Sequence, residues 1–462
     1  MRYTALATVA LLAATGANAQ DRRTVTEPVI PTACTTLSAA LNLVGDSTVA
    51  EADERSLDTD RIQAALDHCD AGKAVTLTAG AGDRRAFLIG PIRLRAGVTL
   101  VVGARAVLLA SRDPRLYDIE VGRCGTVDKR GHGCLPLIFA DRVRGSGVMG
   151  PGTIEGRGWA RLLGTDTSWW DLAQRAKAEK LNQSCPRLLQ LTRADDFTLY
   201  RITIRNSPNF HVVYDRGDGF TAWGVIIDTP DPRARNTDGI DPASATNVTI
   251  AHSFINTGDD DIAIKAGSTG PSTHMTISHN HFYRGHGMSI GSETDGGASA
   301  IRVVDLSIEG ADNGLRIKSN ASRGGLVQDV EYTDICLRRV KHPIEMDTRY
   351  SASEQTEGSR IPEFRDIRLR NVRVEGGGQV ILEGYDAARP LRMAWDNVTF
   401  DDPTKYAVSA KHLELGKGPG PVNLLLAGAT VQVRGESRDT PANACIGKFV
   451  PFPRAAGVVP RQ

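Results

Sequence analysis

Short apolar runs broken by polar and glycine-rich turns occupy most of the chain from Ala74 to about Leu426. In the middle of this region, strongly apolar positions recur at intervals of 22, 26, 27 and 29 residues. These reference residues are Ile240, Ile262, Met288, Leu315 and Ile344. Units of this length, each with a strand and a turn-rich segment, predict a solenoid whose units stack into one continuous core.

The connections after residue 186 are too short for a helical layer between consecutive strands, which excludes a doubly wound sheet. We therefore predict an all-β fold, a single-domain right-handed parallel β-helix of about ten coils with three short strands per coil. From Asp58 to Cys69 a capping residue precedes apolar positions at helical spacing, so we expect a short helix that caps the first coil. Residues 157–184, which contain three tryptophans, interrupt the strands and predict a helical or looping insertion.

The first 19 residues combine one cation, Arg2, with an apolar run from Ala5 to Ala14 and small residues before Gln20. This pattern predicts a signal peptide at 1–19, a lead-in at 20–56 and a β-helix domain at 57–462. The apolar run is too short to cross a bilayer, so we expect a secreted, extracellular protein without a membrane partner. Cleavage removes one of 55 basic residues and leaves them equal to the 54 acidic ones. Attraction for a charged ligand must then be local.

The seven cysteines fit an exported protein with disulfides. Cys124 and Cys134 bracket a polar glycine-rich loop and predict one bridge, while Cys34 and Cys69 predict a second that ties down the N-terminal segment. The other three are odd in number, so at least one thiol stays free or pairs between molecules. Cys124 and Cys134 do not have the CxxC spacing of a metal centre and lack a second close pair, so we expect no metal site.

Four polar clusters accompany the repeats, and three ionisable residues in them share one phase. Asp238, Asp260 and His286 each precede a reference residue by two positions, so they should occupy equivalent places on consecutive coils, roughly 4.8 Å apart. The clusters are Asn236-Thr237-Asp238, Gly258-Asp259-Asp260-Asp261, Gly285-His286-Gly287 and Arg316-Ile317-Lys318. Crowded carboxylates resist ionising together, so at least one should keep its proton at a raised pKa.

A protonated acid beside an ionised base is the arrangement that glycoside hydrolysis requires. Strand alternation turns Lys265, Arg316 and Lys318 outward, where the last two could clamp an anionic sugar. Each cluster alone is typical of a turn, a solvated or calcium-binding loop, or a half-buried strand. Their common order and phase favour a functional site.

The four clusters, together with Asp241 in the first of them, resemble the polygalacturonases of glycoside hydrolase family 28, over most of the mature chain. The resemblance is closest to secreted bacterial endopolygalacturonases. It implies inverting hydrolysis of α-1,4 links in polygalacturonate, with Asp259 as general acid, Asp238 and Asp260 activating water, and His286 tuning the acid. It also implies substrate binding by Asn236, Arg316, Lys318 and Tyr350, and it gives Asp261 no role. The spacing of the acids does not itself distinguish inversion from retention.

Several alternatives remain open at this stage. They are an exopolygalacturonase, a calcium-dependent pectate lyase and a non-catalytic carbohydrate-binding β-helix. We expect a monomer that acts on polygalacturonate or pectin, needs no cofactor and binds no nucleic acid.

Overall fold

The computed structural model describes residues 20–351, 357–438 and 445–453. The predicted signal peptide lies outside these ranges. In the described residues no helix is both long and apolar enough to cross a membrane.

One face of the molecule is a parallel sheet with one strand from each of eleven successive coils. Its strands, from the N-terminal coil onward, are Ile92–Arg93, Ile138–Asp141, Leu189–Thr192, Val212–Asp215, Ile240–Ala243, Ile262–Ile264, Met288–Gly291, Asn313–Lys318, His342–Asp347, Gly378–Glu383 and Tyr406–Lys411. The reference residues pair with one another at every step of this sheet, from Ile240 to Ile344. The predicted right-handed parallel β-helix and its register are therefore confirmed, with a coil count close to the expected ten.

The remaining faces belong to a sheet of 22 strands, which begins as two rows. Their strands pair in parallel, except that Leu41–Asn42 is antiparallel to Arg84–Ile89. The first row is Ala33–Ser38, Ala74–Thr78, Thr99–Val102, Gly147–Met149, Phe197–Tyr200, Asp218–Trp223, Thr246–Ala251, Ser272–Tyr283, Ala298–Glu309, Leu326–Arg338, Ile367–Glu375, Leu391–Phe400, Leu413–Lys417 and Val431–Arg434. The second row is Leu41–Asn42, Arg84–Ile89, Val107–Ala110, Thr153–Glu155, Thr203–Arg205, Ile226–Asp228 and Phe254–Asn256, and Glu363–Phe364 pairs with the start of Leu326–Arg338. Both rows pair with the single long strand Ser272–Tyr283. The predicted three strands per coil thus hold for the N-terminal coils, and two of them merge in the later ones.

Helix α1, Thr59–His68, caps the first coils as predicted and buries Ile62 and Leu66 in the main core. Asp58 precedes it but does not cap it through its side chain, which instead accepts hydrogen bonds from Leu88 N and Arg61 Nε. The lead-in contributes two of the strands above and the 3₁₀ turn Glu51–Asp53, and two further 3₁₀ turns span Pro114–Tyr117 and Pro403–Lys405.

The insertion at 157–184 forms helix α2, Trp169–Glu179, and one strand of a small antiparallel pair, Asn182–Gln183 with Val127–Asp128. A capping box between Ser168 and Asp171 starts the helix. Trp169 and Trp170 are buried, and Trp170 Nε1 donates to Ser207 O at 2.9 Å. The predicted insertion is therefore anchored on the coils rather than detached from them.

Three disulfides fix the chain. The predicted Cys34–Cys69 and Cys124–Cys134 bridges are present, and the third, Cys336–Cys445, was not assigned from the sequence. Cys185 is the free cysteine, which accounts for the odd number.

Candidate active site

Five ionisable side chains of the four clusters, together with Asp241, Lys265 and Ser289, form three columns that cross the coils at the eleven-stranded sheet. The residues of one column lie the same number of positions along the chain from the reference residues of their coils. They stack because the reference residues are in register. The columns are Asp238, Asp260 and His286 two positions before it; Asp241, Ser289 and Arg316 one position after it; and Lys265 and Lys318 three positions after it.

Glycines allow the turns that carry the acids to stack closely. A Cβ on Gly258 would lie 1.9 Å from Ala234 O, and one on Gly285 would lie 2.6 Å from Asp259 O. Gly285 also has a φ of +77°, in the left-handed region that favours glycine. The glycines of the second and third clusters therefore serve backbone packing, which holds Asp259, Asp260 and His286 in position.

Asp259, Asp260 and His286 form one compact group. His286 Nδ1 lies 3.0 Å from Asp259 Oδ1 and 3.9 Å from Asp260 Oδ1. A backbone hydrogen bond also joins His286 to Asp259, since His286 N–H donates to Asp259 O at 2.8 Å. Asp260 is buried, whereas Asp259 and His286 are half-buried and face the solvent side of the coil. Asp260 and His286, which the sequence placed in one column, thus lie together, whereas Asp238, the third residue of that column, pairs with Lys265.

Cations surround Asp260 on its other sides. Lys318 Nζ donates to Asp260 Oδ2 at 2.7 Å, Ser289 Oγ donates to Oδ1 at 2.7 Å, and Arg316 Nη1 lies 3.6 Å from Oδ1. Arg316 and Lys318 point away from the core, as predicted, yet they are only 7% and 5% exposed. Their burial comes from these ion pairs and from the ring of Tyr350.

Tyr350 lies over both cations of the fourth cluster. Its ring centroid is 5.1 Å from Arg316 Cζ and 5.3 Å from Lys318 Nζ. Arg316 also contacts Glu345 at 3.4 Å, a buried residue of the next coil that the sequence did not single out. Tyr350, to which the resemblance gives a role in substrate binding, therefore lies directly beside Arg316 and Lys318.

Asp238 belongs to a second buried group that sequence reasoning only half identified. Lys265 Nζ lies 3.3 Å from Asp238 Oδ2 and 2.8 Å from Asp241 Oδ2. Among the described residues, Asp238 Oδ1 has no hydrogen-bond partner. The pairing of Lys265 with both acids could have been suspected from the sequence, because Lys265 and Lys318 share a phase and Asp241 shares that of Arg316.

Asp261 and Asn236 lie at the margins of the site. Asp261 is fully buried and accepts from Gly287 N at 3.0 Å and Thr257 Oγ1 at 3.2 Å, so it holds two turns together. Asn236 is half-buried, adopts a left-handed φ of 54°, and lines a cavity on the N-terminal side of the acids.

The acids differ in their protonation because their surroundings differ. Burial raises the pKa of Asp238 well above its ordinary value, with Lys265 opposing the rise and neighbouring carboxylates adding to it. Burial likewise raises the pKa of Asp241 to about 6 and that of Asp261 well above normal. The pKa of Asp238 therefore shifts in the direction expected from the sequence, but burial is the largest cause and the neighbouring carboxylates only add to it.

Asp259 behaves in the opposite way. Burial disfavours its carboxylate, but the hydrogen bond and charge of His286, together with Lys318 and Lys265, outweigh burial and hold the pKa of Asp259 below its usual range. Burial also opposes the imidazolium of His286, yet its contacts with Asp259 and Asp260 raise the pKa above 6.5. In the ligand-free protein this pair therefore carries one proton on the imidazole side of its hydrogen bond.

One group of the site has the spacing of a cation site. The ligand atoms of Asp259, Asp260 and His286 all lie within 4.8 Å of one another. However, Lys318 and Ser289 already bind the two oxygens of Asp260. A lysine ammonium thus supplies the positive charge that a metal would bring.

Comparison with known proteins gives a consistent result. The model of glycosyl hydrolases family 28 matches residues 69–415. An endo-polygalacturonase of Pectobacterium parmentieri is 45% identical over 391 residues, 84% of this chain and 92% of the relative. A polygalacturonase of Ralstonia nicotianae is 38% identical and covers 99% of both chains. The solved polygalacturonase from Erwinia carotovora ssp. carotovora superposes with a TM-score of 0.79 at 43% identity, over 86% of this chain and 100% of that one. The chain therefore belongs to glycosyl hydrolase family 28.

Proposed function

We propose that this protein is an endopolygalacturonase, which hydrolyses α-1,4 links between galacturonate residues in demethylated pectin. The observation that carries the proposal is the arrangement of Asp238, Asp259 and Asp260 beside Lys265, Arg316 and Lys318, all within four successive coils. Acids alone would suit many glycosidases, whereas buried cations next to them select a sugar that carries a carboxylate. The 45% identity to an endo-polygalacturonase supports the same substrate.

The substrate's carboxylate binds at the fourth cluster. Arg316 and Lys318 carry fixed positive charge, and Tyr350 covers them with its ring. A galacturonate at the cleavage point meets the guanidinium and ammonium through its carboxylate and Tyr350 through its ring or hydroxyl groups. Asn236 contacts the sugar from the N-terminal side of the acids.

The reaction needs one proton donor and one activated water. Asp259 donates its proton to the glycosidic oxygen while the bond from that oxygen to the anomeric carbon breaks. A water attacks the anomeric carbon and passes its proton to Asp238 or Asp260. Asp238 Oδ1, which has no partner among the described residues, is suited to hold that water, while Lys265 fixes the other oxygen. Inversion of the anomeric carbon follows from the family resemblance.

Substrate binding leads to the protonation of Asp259, which is ionised in the free protein. The positive charges of Lys318 and Lys265 help to keep the pKa of Asp259 low. Galacturonate carboxylates placed against these cations weaken their effect on Asp259, so its pKa rises in the complex. The proton then moves within the hydrogen bond from His286 to Asp259, which becomes the general acid.

The test is a time course of product lengths on polygalacturonate, with Asp259→Asn and a matched control. Asp312 is the control, because it lies three positions before Leu315, as Asp259 does before Ile262, and its side chain is 50% exposed and paired with Lys341. Losing a general acid should lower kcat by about 10²- to 10⁴-fold. Asp312→Asn should stay near the unmodified rate.

The products separate the alternatives. Intermediate oligomers early in the reaction support endo action, and immediate release of monomer or dimer alone would make the enzyme an exopolygalacturonase. An unsaturated product, or activity lost with a chelator, would instead assign a calcium-dependent lyase. Binding of polygalacturonate without any cleavage would leave a carbohydrate-binding β-helix.

We also propose that the protein is secreted after cleavage behind Ala19. Three disulfides among the described residues support an oxidising compartment. Sequencing the N-terminus of protein recovered from the culture medium tests this proposal. A first residue other than Gln20 would contradict the cleavage site, and absence from the medium would contradict export.

A further inference from the structure

The two cations of the fourth cluster lie among acids on two sides. Arg316 is placed between Asp260, whose Oδ1 is 3.6 Å from Nη1, and Glu345, whose Oε1 is 3.4 Å from both Nε and Nη2. Lys318 Nζ binds Asp260 as well. The two cations therefore face two carboxylates, and these four side chains together carry no net formal charge.

Glu345 belongs to the next coil, and the register of the β-helix fixes its place. Arg316 pairs with Glu345 in the eleven-stranded sheet, so the two side chains stack in one outward column. Glu345 is only 5% exposed, and its Oε2 accepts a hydrogen bond from Asn313 Nδ2. A glutamate is rarely buried to this extent unless it is paired. Its carboxylate is therefore held against the guanidinium.

Glu345 takes no part in the proposed acid and base chemistry, and its contact with Arg316 is a loose one. Arg316 Nη2 donates to Oε1 at 3.4 Å, longer than the roughly 2.7–2.9 Å that is usual for a charge-assisted hydrogen bond. Arg316 Nε has no hydrogen-bond partner among the described residues. Glu345 therefore acts on Arg316 mainly through its charge.

A galacturonate and its methyl ester differ at the fourth cluster by one negative charge. Both present a carbonyl-type oxygen to which a guanidinium N–H can donate, so the attraction between charges is what distinguishes them. Glu345 offsets one of the two positive charges beside the substrate and repels an ionised carboxylate more than a neutral ester.

We infer that Glu345 is a specificity-determining residue, which lowers the preference of the fourth cluster for a free carboxylate over its methyl ester. The inference rests on the proposed function and names a feature of its substrate, pectin that is only partly demethylated. Arg316 and Lys318 still bind a free carboxylate, but a methyl-esterified sugar can take the same place.

The experiment uses Glu345→Gln, which keeps the size of the side chain and removes its charge. KM for polygalacturonate should fall about tenfold, because one like charge no longer opposes the substrate's carboxylate across the guanidinium. On partly methyl-esterified pectin, mass spectrometry of the products identifies the two terminal sugars formed at each cut. Unmodified protein should leave methyl esters on some of these sugars, and the variant on about tenfold fewer.

Glu375→Gln is the matched control. Glu375 Oε1 also lies 3.4 Å from an arginine Nε, that of Arg373, but on the large sheet. This variant should change neither KM nor the terminal sugars. A higher KM in Glu345→Gln would show that Glu345 orients Arg316 and would overturn the inference, as would an unchanged KM with unchanged terminal sugars.

A second variant, Glu345→Asp, keeps the charge on a shorter side chain and should leave methyl esters at the cut as the unmodified protein does. Their loss in this variant would assign the effect to shape and refute the inference. If Glu345→Gln does not fold, products of the unmodified protein that carry no methyl ester at the cut would refute it as well.

Failure of the proposed function would be seen separately, because the unmodified protein would then cleave no polygalacturonate. Calorimetry would still test the inference by comparing the binding of polygalacturonate and of highly methyl-esterified pectin to the unmodified and Glu345→Gln proteins. The ratio of the two affinities should rise about tenfold in the variant, and an unchanged ratio would refute the role of Glu345.

Discussion

Replacing Lys265 by methionine would remove the cation that the buried Asp238 and Asp241 carboxylates share. Its Nζ lies 2.8 Å from Asp241 Oδ2 and 3.3 Å from Asp238 Oδ2, and the two acid side chains are 1% and 4% exposed. At 3.3 Å and an effective dielectric constant of about 20, Coulomb's law gives about 5 kcal/mol for one such pair. Breaking a buried ion pair by removing one partner costs about 3–5 kcal/mol in practice. We expect the free energy of unfolding to fall by about that amount at neutral pH.

The loss should depend on pH in a defined direction. Burial raises the pKa of both carboxyls above 3.8 even with Lys265 present, and without it both values rise further. Between 3.8 and the folded pKa, the folded state binds more protons than the unfolded state, so stability falls as pH rises. The deficit of the variant is therefore largest at neutral pH and shrinks as pH approaches 4.

Urea unfolding at pH 4.5 and pH 7 measures this deficit. Lys411→Met is the control, since that lysine pairs with Glu383 at the surface and is 64% exposed. Adding Asp241→Asn to Lys265→Met removes one of the two unpaired charges and should restore part of the lost stability. A deficit equal at both pH values, or larger at pH 4.5, would refute the electrostatic account and assign the effect to lost packing on Phe210.

Three further outcomes are expected. In the pH profile of kcat/KM, the midpoint of the alkaline limb should lie above pH 6.5, because contacts with Asp259 raise the pKa of His286. A midpoint below pH 6.5 would contradict a proton shared between His286 and Asp259. Tyr350→Ala should raise KM about tenfold by removing a sugar contact next to the cations, and unchanged steady-state KM would remove this residue from the binding site. Arg157→Met should lower the free energy of unfolding by about 3 kcal/mol, because it leaves buried Glu54 with fewer partners; calorimetry showing no fall in Tm would contradict this.

The stacking of the site residues could be predicted because, in a parallel β-helix, the place of a residue within its repeat determines where it lies on the coil. Ile240, Ile262, Met288 and Leu315 pair in turn, so the residues at a fixed distance from them stack in columns. Side-chain alternation then gives the outward direction of Arg316. These relations need only the repeat length and the strand period, both of which are visible in the sequence.

Contacts between distant segments could not be predicted in the same way. Cys336 bonds to Cys445, 109 residues away, because the C-terminal segment folds back on the large sheet, where Tyr283 donates to Val450 O. At the opposite end, Asp21 accepts from Thr249 on that sheet. Neither segment has a repeat that could have revealed its path.

The electrostatics of the site follow from a conflict that the fold itself creates. Parallel stacking places the side chains of Asp238 and Asp260 at equivalent positions on neighbouring coils, roughly 4.8 Å apart along the axis, where two carboxylates repel each other. Lys265 relieves the repulsion at Asp238, and Lys318 relieves it at Asp260. The same two cations lower the pKa of Asp259. If they also bind the substrate's carboxylates, as we propose, substrate binding and protonation of the general acid must be coupled, because the substrate's carboxylates and the ionised Asp259 compete for the same positive charge. The acid would then be fully protonated only when a galacturonate chain is in place.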